Sequence, residues 1–337
     1  MNTKIVLQLG GWLCIFTLVI ALLSSCTKED AGPSVPDFDL NALPLDSLSE
    51  YHFFTGNLAD MAANGRVMPY DLSVPLFSDY AQKARFVYVP LGQTANYTEN
   101  EAFEFPIGSV LIKTFFYYKD LANFSAGKQL LETRLLVKHA DEWLQYSYHW
   151  NEAQTEAVFE VADKNIAVNW KDETGLDQNV LYQIPNKNKC KNCHNIDKNL
   201  VPIGPKARNL NKVFRYPDGS TDNQLTKWIN EGFLSGVPNL NTITELPLWH
   251  DENIEKIDQR ARAYLDINCG HCHRPEGPAN NSGLFLHFLE TDSTALGICK
   301  NPVAAGQGSG GLSFGIVPGN PDESIMMYRM KSTEPDE

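Results

Sequence analysis

The chain has 337 residues, a formal net charge of −13 and a hydrophobic share of 43%. This length allows two or three domains, and the hydrophobic share is that of a folded chain, which excludes a disordered protein. The acidic balance repels phosphate backbones. The composition therefore predicts no nucleic-acid partner and favours partner proteins with basic patches.

The N-terminus has the pattern of a lipoprotein signal peptide, predicted over residues 1–25. Lys4 precedes an apolar run from Ile5 to Leu23, and Cys26 follows in a lipobox-like stretch. We expect cleavage before Cys26, with lipid on its thiol and its new amino group. The alternative is a plain transmembrane anchor, because the apolar run is nearly long enough to span a bilayer. Both interpretations predict that the rest of the chain leaves the cytoplasm.

Residues 26–46 are predicted to form a tether, because they are acidic in balance, contain three prolines and have few large aromatic residues. The four residues after Cys26 resemble the signals that send some lipoproteins to the surface of the outer membrane. We therefore expect the protein in the cell envelope, held to the outer membrane by a lipid anchor on Cys26. It would face the periplasm or be exposed at the surface.

Residues 47–179 are predicted to form an antiparallel β-rich domain, as a sandwich or a barrel. Four stretches, 85–89, 110–117, 133–137 and 143–150, are rich in β-branched and aromatic residues. Turn residues such as Pro90 and Gly127 separate them. Short strands at this spacing are typical of antiparallel sandwiches and barrels.

A C-x-x-C-H motif occurs twice, as Cys190-Lys191-Asn192-Cys193-His194 and as Cys269-Gly270-His271-Cys272-His273. This is the attachment pattern of c-type haem, in which two thiols on one turn add to the two vinyl groups of one porphyrin. The histidine that ends the motif then ligates the iron. The sequence therefore predicts two covalently bound haem c groups, held by Cys190, Cys193, Cys269 and Cys272, with His194 and His273 as iron ligands.

A zinc ribbon is the main alternative for these cysteines, because paired C-x-x-C knuckles also bind zinc. In such ribbons roughly 15–20 residues separate the two pairs, whereas about 75 residues separate Cys193 from Cys269. A histidine also follows both pairs. A redox disulfide is disfavoured, since neither pair lies in a thioredoxin-like βαβ pattern.

Residues 180–251 and 252–337 are predicted to form two mainly α-helical, cytochrome c-like domains with one motif each. Helical periodicity covers residues 222–231, and also residues 254–267, which run directly into the second motif. A third helix is expected over residues 324–330. The last domain is expected to be incomplete, because no loop and final helix follow that segment.

The sixth ligands of the two irons are open. No methionine lies between His194 and Cys269, so the first haem needs another group, with His250 as the nearest candidate. Met330 is the candidate for the second haem, although it lies on the predicted helix, where methionine usually fills the core. A His/His pair gives a lower potential than His/Met. The two haems are therefore expected to differ in potential.

The chain resembles a family of bacterial diheme c-type cytochromes in which a β-rich N-terminal region precedes two C-x-x-C-H domains. The resemblance covers residues 47–337 and implies electron transfer, without a settled substrate. It is carried by Pro69-Tyr70-Asp71-Leu72, by Pro75-Leu76-Phe77-Ser78-Asp79-Tyr80, by Glu132-Thr133-Arg134-Leu135-Leu136 and by Ala261-Arg262-Ala263-Tyr264-Leu265-Asp266.

Three functions stay open at this point. The first is an electron carrier between a periplasmic or surface dehydrogenase and an acceptor, which docks redox partner proteins through its acidic surface. The second is a diheme peroxidase, in which one five-coordinate haem cleaves peroxide beside a His or Glu acid–base group. In the third, the β-rich domain binds a substrate or a sugar and the haems serve it. No catalytic residue is predicted.

Overall fold

The computed structural model describes residues 35–186, 189, 194–197, 199–250, 257–303 and 306–333. The described strands are β1 (Phe54–Thr55), β2 (Ala62–Ala63), β3 (Val67–Tyr70), β4 (Gln82–Tyr88), β5 (Ala95–Asn96), β6 (Val110–Tyr118), β7 (Lys128–Lys138), β8 (Trp143–Trp150), β9 (Ala157–Phe159), β10 (Lys164–Lys171), β11 (Asp177–Ile184), β12 (Asn195–Ile196), β13 (Asn199–Leu200), β14 (Val213–Arg215), β15 (Thr221–Asn223) and β16 (Leu234–Ser235). The described α-helices are α1 (Ala207–Leu210), α2 (Gln224–Asn230), α3 (Ile257–Asn268) and α4 (Ile325–Lys331). Short 3-10 helices span Leu40–Ala42, Ser49–Tyr51, Leu58–Asp60, Phe124–Ala126, Leu240–Thr242, Asn280–Ser282, Gly306–Ser309 and Pro321–Glu323.

A six-stranded antiparallel sheet in the order β3-β4-β6-β7-β8-β9 is the centre of the fold. The four stretches predicted as strands lie within β4, β6, β7 and β8, apart from the last residue of the first, and these strands are adjacent in the sheet. Their β-branched and aromatic side chains suit a pleated surface that is covered on both faces. A register irregularity between Phe115 and Phe116 interrupts the pairing of β6 with β7.

One face of this sheet carries a large apolar cluster. Alternate side chains of β4 and β6, such as Phe86, Tyr88 and Ile112, point to this face. The segment before β1 covers them with Leu48 and Tyr51, which are fully buried. Burial of each such side chain contributes roughly 1.5–3 kcal/mol, so this face supplies a large part of the stability.

The opposite face of the sheet is divided between two further clusters. Towards one end, Val87 and Leu111 share a cluster with Trp228 of α2. Towards the other end, Phe115 packs with Trp170 of the β10–β11 hairpin. A polar strip crosses the sheet between these two clusters, and the candidate site described below lies in front of it.

The N-terminal part of the described chain packs against the sheet. Phe38 lies against the first apolar cluster, and the hydroxyl of Tyr88 donates a hydrogen bond to the carbonyl of Pro36 at 3.2 Å. The predicted signal peptide and the predicted lipid attachment residue, Cys26, lie outside the described residues. Across the described ranges, no helix combines the length and the apolar character needed to cross a membrane.

The prediction of two mainly α-helical cytochrome c-like domains, the last one incomplete, is wrong. The described fold is mainly β, and its four α-helices have only four to twelve residues. The predicted helical segments are found as α2, α3 and α4, but hairpins β12–β13 and β14–β15 occupy the part of the first predicted helical domain that precedes α2. Leu225 and Trp228, which gave the helical periodicity, pack onto the sheet instead of onto other helices. Short helices suffice there because tertiary packing stabilises them.

A buried ion pair joins α1 to the end of α3. Arg208 Nη2 and Asp266 Oδ2 are 2.8 Å apart, and both side chains are less than a tenth exposed. Asp266 also accepts a hydrogen bond from the backbone N–H of Phe288 at 2.9 Å. Burial alone would raise the pKa of Asp266, but Lys206 and Arg208 together hold it below its usual value. This pair therefore fixes the last turn of α3 as a charged, hydrogen-bonded unit.

Removal of the cation from this pair should strongly destabilise the protein. We expect Arg208→Met to lower the free energy of unfolding by up to about 3–5 kcal/mol, because the buried Asp266 then loses its hydrogen-bonded cation and keeps only the charge of Lys206. The pKa of Asp266 is lower in the folded than in the unfolded chain, so its contribution is full above about pH 4 and is lost as the pH falls further. Urea unfolding at several pH values measures both effects.

The matched control is the double variant Arg208→Met/Asp266→Asn, which removes both charges. It should recover part of the loss, since no buried charge then lacks a partner. Equal stability of wild type and Arg208→Met at pH 7 would contradict this account of the ion pair.

Candidate functional site

The second motif follows α3 without a break. The backbone N–H of Cys269 donates to the carbonyl of Leu265 at 2.9 Å, and that of His273 donates to the carbonyl of Cys269 at 2.9 Å. Gly270 is required in this turn, because a Cβ atom there would lie 2.7 Å from the backbone oxygen of Asp266. The tight turn brings the two thiols and the imidazole of the motif to one side of the chain.

These three side chains line one cavity of about 520 Å³, here called cavity B. Cofactor sites have volumes of roughly 300–1,000 Å³, so cavity B has the size of a cofactor site. Its other walls are largely apolar. They include Leu284, Leu286, Ile325, Met326 and Met330, with Lys300 and Arg329 as charged side chains.

The imidazole of His273 is oriented by its surroundings. Burial lowers the pKa of His273, and a hydrogen bond to the carbonyl of Leu284 opposes that shift. Ser282 Oγ lies 3.4 Å from His273 Nδ1. When Nδ1 donates a hydrogen bond, Nε2 is left as the ligand nitrogen of a neutral imidazole. Cys269 lies in the same apolar surroundings, and burial raises the pKa of its thiol to about 11.

His194 of the first motif has the same kind of support. Its Nδ1 lies 2.9 Å from the carbonyl oxygen of Val201. Burial, followed by the charge of Lys113, lowers the pKa of His194 to about 3. The imidazole is therefore neutral at physiological pH, as an iron ligand must be. Cys190 and Cys193 lie outside the described residues.

A second cavity, cavity A, has a volume of about 90 Å³ and lies between His194 and the main sheet. The loop from Pro202 to Pro205 forms one wall, and the polar strip of the sheet forms another. Arg85, Lys113 and Arg134 contribute their side chains to this wall. Cavity A is smaller than a cofactor site, so its fit to a haem rests on the donor set of the motif and not on volume.

The two cavities are adjacent, although about 75 residues separate Cys193 from Cys269. Ile267 lines cavity A and the next residue, Asn268, lines cavity B. Close to the motifs, the backbone N–H of Asp197 donates to the carbonyl of Glu276 at 3.3 Å. The last turn of α3 is thus a common wall of both cavities.

A charge network holds the loop after the second motif in place. Arg274 donates to both carboxylate oxygens of Glu101, at 2.9 and 3.2 Å, and to Glu276 at 2.9 Å. Burial would raise the pKa of Glu101, but the hydrogen bond from Arg274 and the charge of Lys206 lower it overall. Glu101 therefore anchors this loop to residues that precede the main strands β6 to β8.

The predicted sixth ligands lie in different places. Met330 lines cavity B and is half exposed, and Met326 of the same helix lines the cavity too. His250 is exposed beside the ring of Trp249 and lines neither cavity. Sequence reasoning missed the cations of cavity A. The available signal was the presence of the charged residues Arg85 and Lys113 within otherwise apolar strand segments. Because side chains alternate between the two faces of a strand, each of these cations must point to one face of the sheet.

The resemblance to diheme cytochromes with two mainly α-helical domains is contradicted by the structure. The fold is mainly β, and among the described residues no group of three His, Cys, Asp or Glu side chains is arranged to hold a metal ion. No protein family, curated protein or solved structure matches the chain. Any functional argument therefore rests on the motifs and their surroundings. A haem c motif supplies one imidazole to the metal and two thiols to carbon atoms, so it needs no cluster of three ligands.

The surroundings of Cys269 predict a slow thiol. In folded protein made without haem attachment, we expect Cys269 to react with iodoacetamide at pH 8 at least about tenfold more slowly than an ordinary thiol of pKa about 8.5, because burial disfavours the thiolate. Cys299, which is exposed, is the internal control. Peptide mass spectrometry over time gives both rates.

Unfolding in urea should bring the two rates together. Equal rates in the folded protein would show that Cys269 is not buried as described. In exported protein, a thioether at Cys269 would abolish its reaction altogether.

Proposed function

We propose that the chain is an envelope-anchored electron carrier with two covalently bound haem c groups, one at each C-x-x-C-H motif. The observation that carries the proposal is the common wall. His194 of the first motif and the side chains of the second motif, distant in sequence, line cavities that meet at Ile267 and Asn268 of α3. A relay needs redox centres that are near each other, and the short distance along α3 between the two cavities supports such an arrangement.

Cavity B supports the proposal through its donor set. Cys269 and Cys272 would form the thioethers, and His273 would ligate the iron through Nε2 while Ser282 Oγ contacts its Nδ1. A haem bound there supplies a one-electron couple. The apolar walls exclude water from it, and the thioethers of Met326 and Met330 lie on the same cavity as soft groups that favour the ferrous state.

The first motif supports the proposal through its histidine. A neutral His194 whose Nδ1 is held by the carbonyl of Val201 is prepared as a ligand. Cys190 and Cys193 would form the thioethers of the first haem. The sixth ligand of this haem stays a prediction, and His250 would need to come from its present exposed position.

The lining of the cavities favours a carrier over a peroxidase. Neither cavity is lined by a carboxylate among the described residues. Cleavage of peroxide needs a positioned acid–base group, and in cavity B the histidine is already assigned to the iron. The acidic net charge supports docking of basic redox partners, and the lipid on Cys26 would hold the carrier at the outer membrane.

Haem counting tests the proposal. Protein exported from a host with cytochrome c maturation should keep two haems per chain after extraction with acidified acetone, as measured by the pyridine haemochrome spectrum. Cys269→Ala/Cys272→Ala and Cys190→Ala/Cys193→Ala should each keep one haem, because each pair holds one porphyrin. Cys299→Ala is the matched control and should keep two.

Colourless protein after extraction would remove the proposal. A redox titration of the coloured protein should resolve two midpoint potentials, since the two sites differ in their available ligands. Steady turnover of peroxide by the same preparation would favour the diheme peroxidase instead of the carrier.

A further inference from the structure

A row of cations crosses the middle of the main sheet. Arg85 of β4 is the register partner of Lys113 of β6, and Lys113 is the register partner of Arg134 of β7. Side chains that face each other on neighbouring antiparallel strands lie about 4.5–5.5 Å apart at Cβ, and like charges in such positions destabilise the sheet. This row therefore needs negative charge nearby.

The two outer cations, Arg85 and Arg134, each have a carboxylate partner. Arg85 pairs with Asp71 at 3.0 Å. Arg134 pairs with Glu132, to which Nε and Nη2 donate at 2.7 and 2.6 Å. Each arginine thus meets a carboxylate at the edge of the row, and these pairs satisfy most of the charge they carry.

Lys113, in the centre, has no such partner. Within the described ranges, no carboxylate lies in ion-pair distance of its ammonium group and no hydrogen bond to it is formed; its Nζ lies over the Phe115 ring, 4.8 Å from the ring centroid. Burial, then the charges of Arg134 and Arg85, lower the pKa of Lys113 well below its usual value. An unpaired cation between two arginines is expensive, and it is retained in a chain whose net charge is −13.

Cavity A lies directly in front of this row. Its lining contains all three cations, Gln145 and His194, and is otherwise mostly apolar. The volume of about 90 Å³ compares with roughly 30 Å³ for one water molecule in the liquid. It therefore suits a group of a few heavy atoms, and the forked donors of arginine together with a lysine are the groups that recognise carboxylates and other oxyanions.

We propose that cavity A is a binding site for a carboxylate or a small oxyanion, held by Lys113 and flanked by Arg85 and Arg134. Two sources share this chemistry. One is a propionate of the haem bound at His194, which rests on the function proposed above. The other is a free small anion such as formate or nitrate, which does not. In both cases the anion supplies the negative charge that the centre of the row lacks.

Lys113→Met is the informative variant, because it removes the unpaired charge and leaves both arginine–carboxylate pairs. The charge-matched control is Lys128→Met. Lys128 is on β7, the strand paired with the β6 strand of Lys113, but its Nζ lies 5.4 Å from the Phe116 ring, which belongs to the apolar cluster of the opposite face. Lys113→Arg keeps the charge and should keep the site. Purified exported protein is used throughout, with sodium formate as the probe and sodium chloride at equal ionic strength as reference.

A free-anion site predicts that formate raises the melting temperature of the wild type in a saturable way, beyond chloride. The apparent affinity for formate should fall about tenfold or more in Lys113→Met, because a charge-assisted hydrogen bond is lost, and should be unchanged in Lys128→Met. A propionate site predicts no saturable effect of formate. Instead, Lys113→Met lowers the midpoint potential of one haem and leaves the other, since loss of a nearby positive charge favours the ferric form.

Absence of a formate effect in the wild type, together with equal potentials in Lys113→Met and Lys128→Met, overturns the proposal. So does a formate effect that Lys113→Met retains in full. Lys113→Met should also melt at or above the temperature of the wild type measured in chloride alone, because it removes like-charge repulsion. If the purified protein carries no haem, the function proposed above fails, and the formate titration alone decides on the anion site.

Discussion

The contact between Arg208 and Asp266 is the constraint on which the candidate site depends. Asp266 is almost fully buried, and two elements share its carboxylate: the guanidinium of Arg208 and the backbone N–H of Phe288. A buried pair of this kind contributes little net stability, because desolvation of both ions offsets much of their attraction. Its effect is positional. It fixes the rotation of the last turn of α3, so that Ile267 and Asn268 face different cavities and Cys269 emerges beside cavity B.

The two faces of the main sheet differ: one carries most of the apolar packing, and the other carries the cations that line cavity A. On one face, alternate residues such as Ile112 and Tyr148 form a large apolar cluster, in which the buried hydroxyls of Thr114 and Thr133 are hydrogen-bonded to each other. On the other face, apolar packing is broken by the strip that contains Arg85, Lys113 and Arg134. Each cation in that strip occupies a position where an aliphatic side chain would stabilise the fold. The sheet therefore has less apolar packing at the positions where cations line cavity A. Such a local loss of stability is the pattern expected at a functional surface.

The sequence was a good guide to local structure and a poor guide to tertiary context. Strands were predictable because β-branched and aromatic residues are concentrated in the stretches that form β4, β6, β7 and β8, and the end of α3 was predictable from its periodicity. The prediction of α-helical domains was wrong because the helical periodicity of residues 222–231 does not show which elements the apolar face of the helix packs against. Trp228 packs on strands. The row of cations was also hidden, since Arg85, Lys113 and Arg134 become neighbours only through the register of three strands. Cys269 and His273 were predicted as haem-binding residues from the motif spacing alone, whereas the cavity that they share is visible only in the folded structure.

The last described helix has a consequence for access to cavity B. Met326 and Met330 of α4 wall this cavity, and α4 has seven residues, held among other contacts by the bond from Arg329 Nε to the carbonyl of Gly308 at 3.0 Å and by the bond from the backbone N–H of Ile325 to the carbonyl of Phe314 at 3.0 Å. Short elements with little buried surface open at a lower free energy than the core of a sheet. We therefore expect local detachment of α4 to admit solvent to cavity B at a lower free energy than unfolding of the main sheet.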